Sequence, residues 1–422
     1  MIPVVLPWAL GAAYPAGPYT WSSALTKVQP TPDDYFTPNK KPVAQFWNYL
    51  LNAHSASLWY AQGAAQGFAA QNWGSLFGLG DQPIGAPVAY EAACWSPLDV
   101  QWWVALHASG LNGIALLFKP PTIDSAWNFV NPGGILTTPV RSGNPPNQNF
   151  VAIAPDPTRA SHIWLGVVTS QTHCGVWLFD GTTFSGSTSI NVGTGQATVV
   201  MHTFNGHVII GVGSTGGDEA RLFLQPDNTN VLSFAIAKVW RFADNGSSFC
   251  VALPGYTVGA QTYWTSSDGV TWQPHSIFFL NPGEQIFGVC YTEDEWGPCW
   301  VAGINTPTIF LLRPTAPRFV KSVDGLTWTP QSSFTQTTPG VDMCSLGGTC
   351  IVVSTVDGAY TPFSVDGGVT WYPAWEASLA TNNSPAIAYA PPTVCSSDVG
   401  YLLFNSTSIR LSLLQGLPAA SM

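Results

Sequence analysis

Between residues 266 and 371 one short phrase occurs three times. It reads Ser266-Ser267-Asp268-Gly269-Val270-Thr271-Trp272, then Ser322-Val323-Asp324-Gly325-Leu326-Thr327-Trp328, then Ser364-Val365-Asp366-Gly367-Gly368-Val369-Thr370-Trp371. The chemistry is that of a tight β-turn. An Asp carboxylate can accept hydrogen bonds from the backbone N–H groups of its own turn, and Gly supplies the positive φ that such turns require. Thr then resumes the extended backbone, and Trp brings a large ring to bury between neighbouring sheets. The third copy carries one extra residue, so its turn is expected to differ slightly.

A second pattern runs the length of the chain: a short strand, a tight turn, then a strongly apolar strand. It occurs at 90–96 with 102–108, 151–155 with 162–168, 199–204 with 207–212, and 240–243 with 248–253. It occurs again at 286–292 with 299–303, 343–345 with 349–354, and 386–390 with 400–405. Equivalent residues in the apolar strands are Val104, Leu165, Ile209, Val251, Val301, Val352 and Leu402, at intervals of 61, 44, 42, 50, 51 and 50 residues. A period near fifty with about four strands per unit is the signature of a propeller blade. The expected fold is therefore all-β, a seven-bladed β-propeller over residues 81–422, preceded by an extended arm and one α-helix over residues 1–80.

The repeated phrase resembles the Asp-box, or BNR repeat, of sialidase-like proteins, where it sits on hairpins of β-propeller blades. Asp268, Gly269, Trp272, Asp324, Gly325, Trp328, Asp366, Gly367 and Trp371 match its pattern, about twenty residues after each apolar strand. Asp180-Gly181-Thr182-Thr183-Phe184 is a weaker copy, with Leu178 in the place of the Ser. Pro226-Asp227-Asn228 marks the corresponding turn in blade three, and blades one and seven lack the motif. This uneven decay suits residues that staple a sheet and do no chemistry. Blade seven reads as short of a strand, and the stretch 71–88 is expected to supply it and close the ring, removing an open sheet edge.

Charged residues make up 9% of the chain and apolar residues 46%, with 19 Trp. The charged share is far below the usual quarter, and a chain this rich in aromatics is not of the disordered class. A surface poor in Lys and Glu suits a subunit packed among neighbours or meeting uncharged partners. A net charge of −10 with 13 Lys plus Arg argues against nucleic acid as a partner. No apolar run approaches the ~20 residues that cross a bilayer, so membrane insertion is not expected. The opening stretch has no Lys or Arg before residue 27 and is broken by Pro3 and Pro7, unlike a signal peptide. The eight cysteines include no CxxC pair, which argues against a zinc ribbon. Cys290 with Cys299, and Cys344 with Cys350, flank hairpins and could be bridged under oxidising conditions; buried free thiols are the plainer reading.

Residues 1–80 do not follow the repeat. A helix is expected to begin near Pro42, with Val43, Phe46, Trp47, Leu50, Leu51, His54 and Leu58 on one face, and to end before Gly63 or Gly67. Thr26-Lys27-Val28-Gln29-Pro30, Tyr35-Phe36-Thr37-Pro38 and the stretch from Pro42 to Asn52 resemble the amino-terminal segment of tailed-bacteriophage virion proteins. In those proteins such a segment precedes a fibre, spike or receptor-binding domain. The resemblance implies a structural role in a virion, at the tail or particle surface, after assembly in the host cytoplasm. It implies other virion subunits as partners through the arm, and a homo-oligomeric state within the particle. Phe46, Trp47, Leu50, Leu51 and Leu58 form the docking helix in this reading. The alternative packs the helix back on the propeller; docking is favoured because a closed propeller gains little from a remote helix.

Three residue types could carry chemistry: Arg, the acids and His. Sialidases hold the substrate carboxylate with three arginines and use a Tyr nucleophile assisted by Glu. This chain has seven arginines, Arg141, Arg159, Arg221, Arg241, Arg313, Arg318 and Arg410. Arg159 is expected in an inner turn and Arg313 and Arg318 in one loop of blade five, and the Arg-Ile-Pro phrase of that family is missing. Asp99, Asp156, Asp244, Asp294 and Asp398 recur in turns of the face that carries the Asp-boxes, with Glu293-Asp294-Glu295 as the densest cluster. Such acids fit turn chemistry, whereas glycoside hydrolysis needs two carboxyls converging within ~5–10 Å. His202 and His207 flank Asn205-Gly206, a two-residue hairpin signal that pairs His207 with Phe204 and His202 with Ile209, so the imidazoles are not partners. No Gly-rich phosphate loop, nucleophile elbow or zinc-binding helix is visible, and neither a cofactor nor a metal is expected.

The opposite face carries longer polar loops such as 214–219, 255–259 and 304–318, whose hydroxyls, amides and Tyr256 could grip a neutral host-surface glycan. The expectation is a non-enzymatic virion protein. The competing classes are a propeller glycosidase acting on host polysaccharide and a secreted lectin-like module.

Overall fold

The computed structural model describes most of residues 88–371, together with the strands Ala386–Tyr389, Asp398–Phe404 and Ile409–Gln415. Residues 1–87 lie outside it, and with them the expected arm, the docking helix and the stretch 71–87 expected to complete blade seven. Among the described residues there is no helix.

The strands form antiparallel meanders that follow one another along the chain. Blades one, two and three, over 88–130, 151–191 and 197–235, are separate four-stranded sheets. Blades four (239–276) and five (285–330) have four strands each and are joined by one parallel pair, Gly255 with Ile286. Blades six (340–364) and seven (386–415) contribute three described strands each. The first strands of the blades are Val88–Ser96, Val151–Pro155, Ala197–Phe204, Val239–Asp244, Gln285–Asp294, Gly340–Ser345 and Ala386–Tyr389. Each touches the first strand of the next blade, and that of blade seven returns to that of blade one. Seven sheets therefore close a ring around these inner strands.

Burial explains the sequence pattern along each blade. The second strand of blade two, Ile163–Val168, is buried at every position, because both faces of a blade lie against neighbouring blades. Its text is accordingly a continuous apolar run and not an alternation. Fourth strands lie at the rim and read as polar: Gln273–Ser276 is exposed over most of its length. The core is a series of wedges between blades. Trp103, Ile114 and Leu116 of blade one meet Ile153, Leu165 and Phe179 of blade two, and Val168, Val176 and Ile190 of blade two meet Val199, Val208 and Val212 of blade three. Corresponding clusters join blades three and four, four and five, and five and six.

The first-to-second-strand hairpin of blade three has the register read from Asn205-Gly206, with His207 opposite Phe204 and His202 opposite Ile209. One assignment changes. Arg318 lies inside the third strand of blade five, Thr315–Ser322, and not in a loop. Pro317 and two cations disguise that strand, which forms because Phe319 and Val320 are fully buried and Arg318 finds an acidic partner in Glu284.

Candidate functional site

The four Asp-box turns are closed by their own carboxylates. Asp268 Oδ1 accepts the backbone N–H groups of Val270 (2.8 Å) and Thr271 (2.7 Å) and the Ser266 hydroxyl (3.0 Å). Asp324 Oδ1 does the same with Leu326, Thr327 and Ser322 at 2.8, 2.7 and 2.9 Å. In the third copy the extra residue moves the acceptances one position on, to Val369 (3.1 Å) and Thr370 (2.8 Å), and Gly367 and Gly368 both take positive φ. The weaker copy keeps the core of the device: Asp180 Oδ1 accepts from Thr182 and Thr183 at 2.9 and 2.8 Å. These hydrogen bonds hold the Asp180, Asp268 and Asp324 carboxyls below their ordinary range. In Asp268 the Thr271 N–H is the chief cause, and the value falls to about 2.

The indoles of the three full copies sit at blade junctions. Trp272 of blade four joins the cluster containing Phe204 and Leu222 of blade three. Trp328 packs at the junction of blades four and five. Trp371 stacks on Phe319 of blade five with ring centroids 3.9 Å apart. Trp272 and Trp371 also donate their ring N–H back to Gly269 and Gly368 carbonyls at 3.1 and 3.0 Å. The three full copies lean on the first hairpin of the preceding blade, Gly269 on Phe204 and His207, Gly325 on Phe249, Gly367 on Glu293 and Asp294, whereas Gly181 lies against Ser161 in the first hairpin of its own blade. The boxes and the first hairpins thus share one axial face.

The recurrent acids of that face are engaged locally. Asp99 accepts from the Ser96 hydroxyl (2.7 Å) and from the Ser161 backbone N–H of blade two (2.6 Å). Asp156 accepts from Thr158, Arg159 and the Trp164 indole. Burial works against its ionised form, but these donors outweigh burial and hold it down to about 2. Asp294 accepts the Trp296 backbone N–H at 2.8 Å and forms an ion pair with Lys321. Asp398 opens the second strand of blade seven.

Along the axis a cavity of about 220 Å³ opens between blades three, four, five and six, lined by His202, Trp240, Arg241, Phe242, Asp342 and Met343, among others. His202 Nε2 lies 2.7 Å from Asp244 Oδ2, and its ring stacks on Phe242 at 5.4 Å between centroids. Arg241 donates its Nε–H to the Phe287 carbonyl at 2.7 Å. Burial pulls its guanidinium down from its ordinary range, and Asp342 opposes that shift. None of these contacts joins residues of one repeat, so sequence reasoning did not find them; a Trp-Arg-Phe run opening a blade is the only local signal. Among the described residues no group of three or more His, Cys, Asp or Glu side chains could hold a metal ion. Nor is any described helix long and apolar enough to cross a membrane. Cys290 and Cys299 form no disulfide; each lies across the hairpin from a different residue, Val301 and Thr292. Cys350 lies outside the described residues.

Fold and boxed turns together define the class: a seven-bladed β-propeller in which one carboxylate-closed turn recurs. No family model and no curated protein sequence matches the chain. Among solved structures, the BP39L lectin from Burkholderia pseudomallei matches over 79% of this chain and 97% of its own, with a TM-score of 0.55 and 14% identity. The GH74 enzyme of Niastella koreensis matches over 79% and 53%, with a TM-score of 0.49 and 13% identity. YCF48 bound to D1 peptide matches over 78% and 95%, with a TM-score of 0.46 and 12% identity. At these identities the likeness is one of fold.

Proposed function

We propose that the chain is a non-enzymatic structural protein of a tailed-phage particle. Residues 1–80 anchor it to other virion subunits through the helix that the sequence pattern predicts, with Phe46, Trp47, Leu50, Leu51 and Leu58. The propeller is displayed outward, where it meets the host surface. The observation that carries the non-enzymatic half of the reading is the state of the carboxylates. Asp99, Asp156, Asp268, Asp324 and Asp366 each accept donors of their own turn, and Asp244 is occupied by His202. A hydrolase instead needs two carboxyls facing one another across an open sugar site. The phage-like text of residues 26–52 supports the anchoring half of the reading.

Two measurements test it. Deletion of residues 1–66 is expected to abolish incorporation into particles, followed by immunoblot of purified virions; full occupancy by the truncated protein would overturn the anchor. Purified full-length protein incubated with host polysaccharide is expected to release no reducing ends. Glycan cleavage would establish the glycosidase reading in its place.

A further inference from the structure

The large apolar side chains exposed on the described surface are not scattered. Leu98, Val100, Val270, Trp296, Val323, Leu326 and Val369 are exposed, and all seven lie in first hairpins or Asp-box turns. The exception, Phe278, follows the last strand of blade four and so lies towards the opposite face. They belong to blades one, four, five and six, and large exposed apolar side chains confined to one axial face point to an interaction site. Trp296 stands out at 84% exposure, at the tip of the blade five hairpin beside the blade six turn that rests on Glu293 and Asp294.

That indole is presented by a built support. The buried Asp294 carboxylate accepts the Trp296 backbone N–H at 2.8 Å, Lys321 pairs with the same carboxylate from the third strand below, and Gly297 turns the chain at φ +120. An ion pair also holds the blade two hairpin, Asp156 with Arg159; in blade five the pair lies under a turn that carries an exposed indole. Its effect here is to hold one aromatic ring ready for contact, which lowers the ordering cost of binding.

Charge selects the occupant. Asp99, Asp180, Asp268, Glu293, Asp324 and Asp366 place carboxylates around the apolar residues, whereas Arg159 and Lys321 are already paired with Asp156 and Asp294. A second copy presenting the same face, or an anionic bilayer, would meet like charge. We propose that the Asp-box face is an interaction face, with Trp296 as its anchor and a Lys/Arg-rich protein surface as its occupant. This concerns the propeller alone and does not depend on the role of the arm.

The test is fluorescence anisotropy on the full chain with three labelled probes: an amphipathic Lys/Leu peptide, its Glu/Leu counterpart, and a neutral gluco-oligosaccharide. The Lys/Leu probe should bind, and more weakly as salt is added. Trp296→Ala should weaken it at least about tenfold, as a central aromatic anchor does, with an unchanged melting profile because the side chain lies in solvent. Glu293→Gln should weaken it less, and Phe278→Ala, towards the other face, should leave it unchanged. Equal affinity for Trp296→Ala and the parent, tighter binding of either other probe, or failure of all three to bind would each overturn the proposal.

Discussion

The Tyr263 hydroxyl, on the third strand of blade four, donates to the carbonyl oxygen of Leu326 at 2.9 Å, inside the Asp-box turn of blade five. It also reaches the Gly325 carbonyl at 3.2 Å. A fully buried Tyr therefore latches one blade to the turn that closes the next. Removing the hydroxyl leaves two carbonyls short of a donor while the ring still fills its space. Tyr263→Phe should cost about 1 kcal/mol, read as a lower urea midpoint with an unchanged slope. An unchanged midpoint would mean that the latch contributes nothing net.

Acid should loosen the boxes before it unfolds the rest. The Asp268 carboxyl, held at about 2 chiefly by the Thr271 N–H, lies below the ~3.9 of an unfolded chain. A depressed folded value means stability that is present above about pH 4 and is lost as pH falls through about 2. Burial acts against Asp324, but the Thr327 and Leu326 N–H groups outweigh it and the shift has the same sign. Asp268→Asn should cost about 1–2 kcal/mol at neutral pH and flatten the acid limb of a stability-against-pH curve. If its acid limb matched that of the parent, the carboxylate would not be the titrating group.

Two glycines separate backbone strain from crowding. Gly367, at φ +70, lies with its would-be Cβ against the Glu293 carbonyl and Asp294. Gly246, at φ +96, has nothing within 4 Å of that position. Gly246→Ala should cost about 1–2 kcal/mol from conformation alone. Gly367→Ala should cost about 2–4 kcal/mol, because crowding adds to strain. Equal losses in chemical denaturation would show that the blade five hairpin moves aside freely.

The buried thiols should be silent in the native fold. Burial pushes Cys174 up to about 12 and Cys299 to about 11, and raises Cys250 as well. The thiolate is the reactive species. Alkylation by iodoacetamide at pH 8, mapped by mass spectrometry, should miss these three in folded protein and label them in guanidinium. Labelling of Cys174 without denaturant would contradict its place between blades two and three.

Much of the ring was legible because a propeller repeats one local problem. The inner strand of blade two was read at its observed bounds, 151–155, since Pro155 and Asp156 end a pure apolar run. The seven apolar residues from Val104 to Leu402 all fall on second strands, where burial on both faces removes polar text. The start of the third strand of blade five, 315–318, reads as loop because Arg318 answers to Glu284, thirty-four positions away. Trp296 was passed over beside its acidic neighbours, although a large ring in a turn between two strands is itself the clue. His202 with Asp244, and Arg241 near Asp342, meet only where blades converge on the axis.

What the amino-acid order determined by itself was whatever closes within a few residues: the boxed turns, the two-residue hairpin at Asn205-Gly206 and the fifty-residue beat of apolar strands. Those depend on hydrogen bonds and burial whose partners the covalent chain already holds close. Only the tertiary structure decided which side chains of different blades meet, from the Tyr263 latch to the axial cavity and the exposed indole of Trp296. Their separation depends on how neighbouring sheets twist and pack, and no short stretch of sequence encodes that angle.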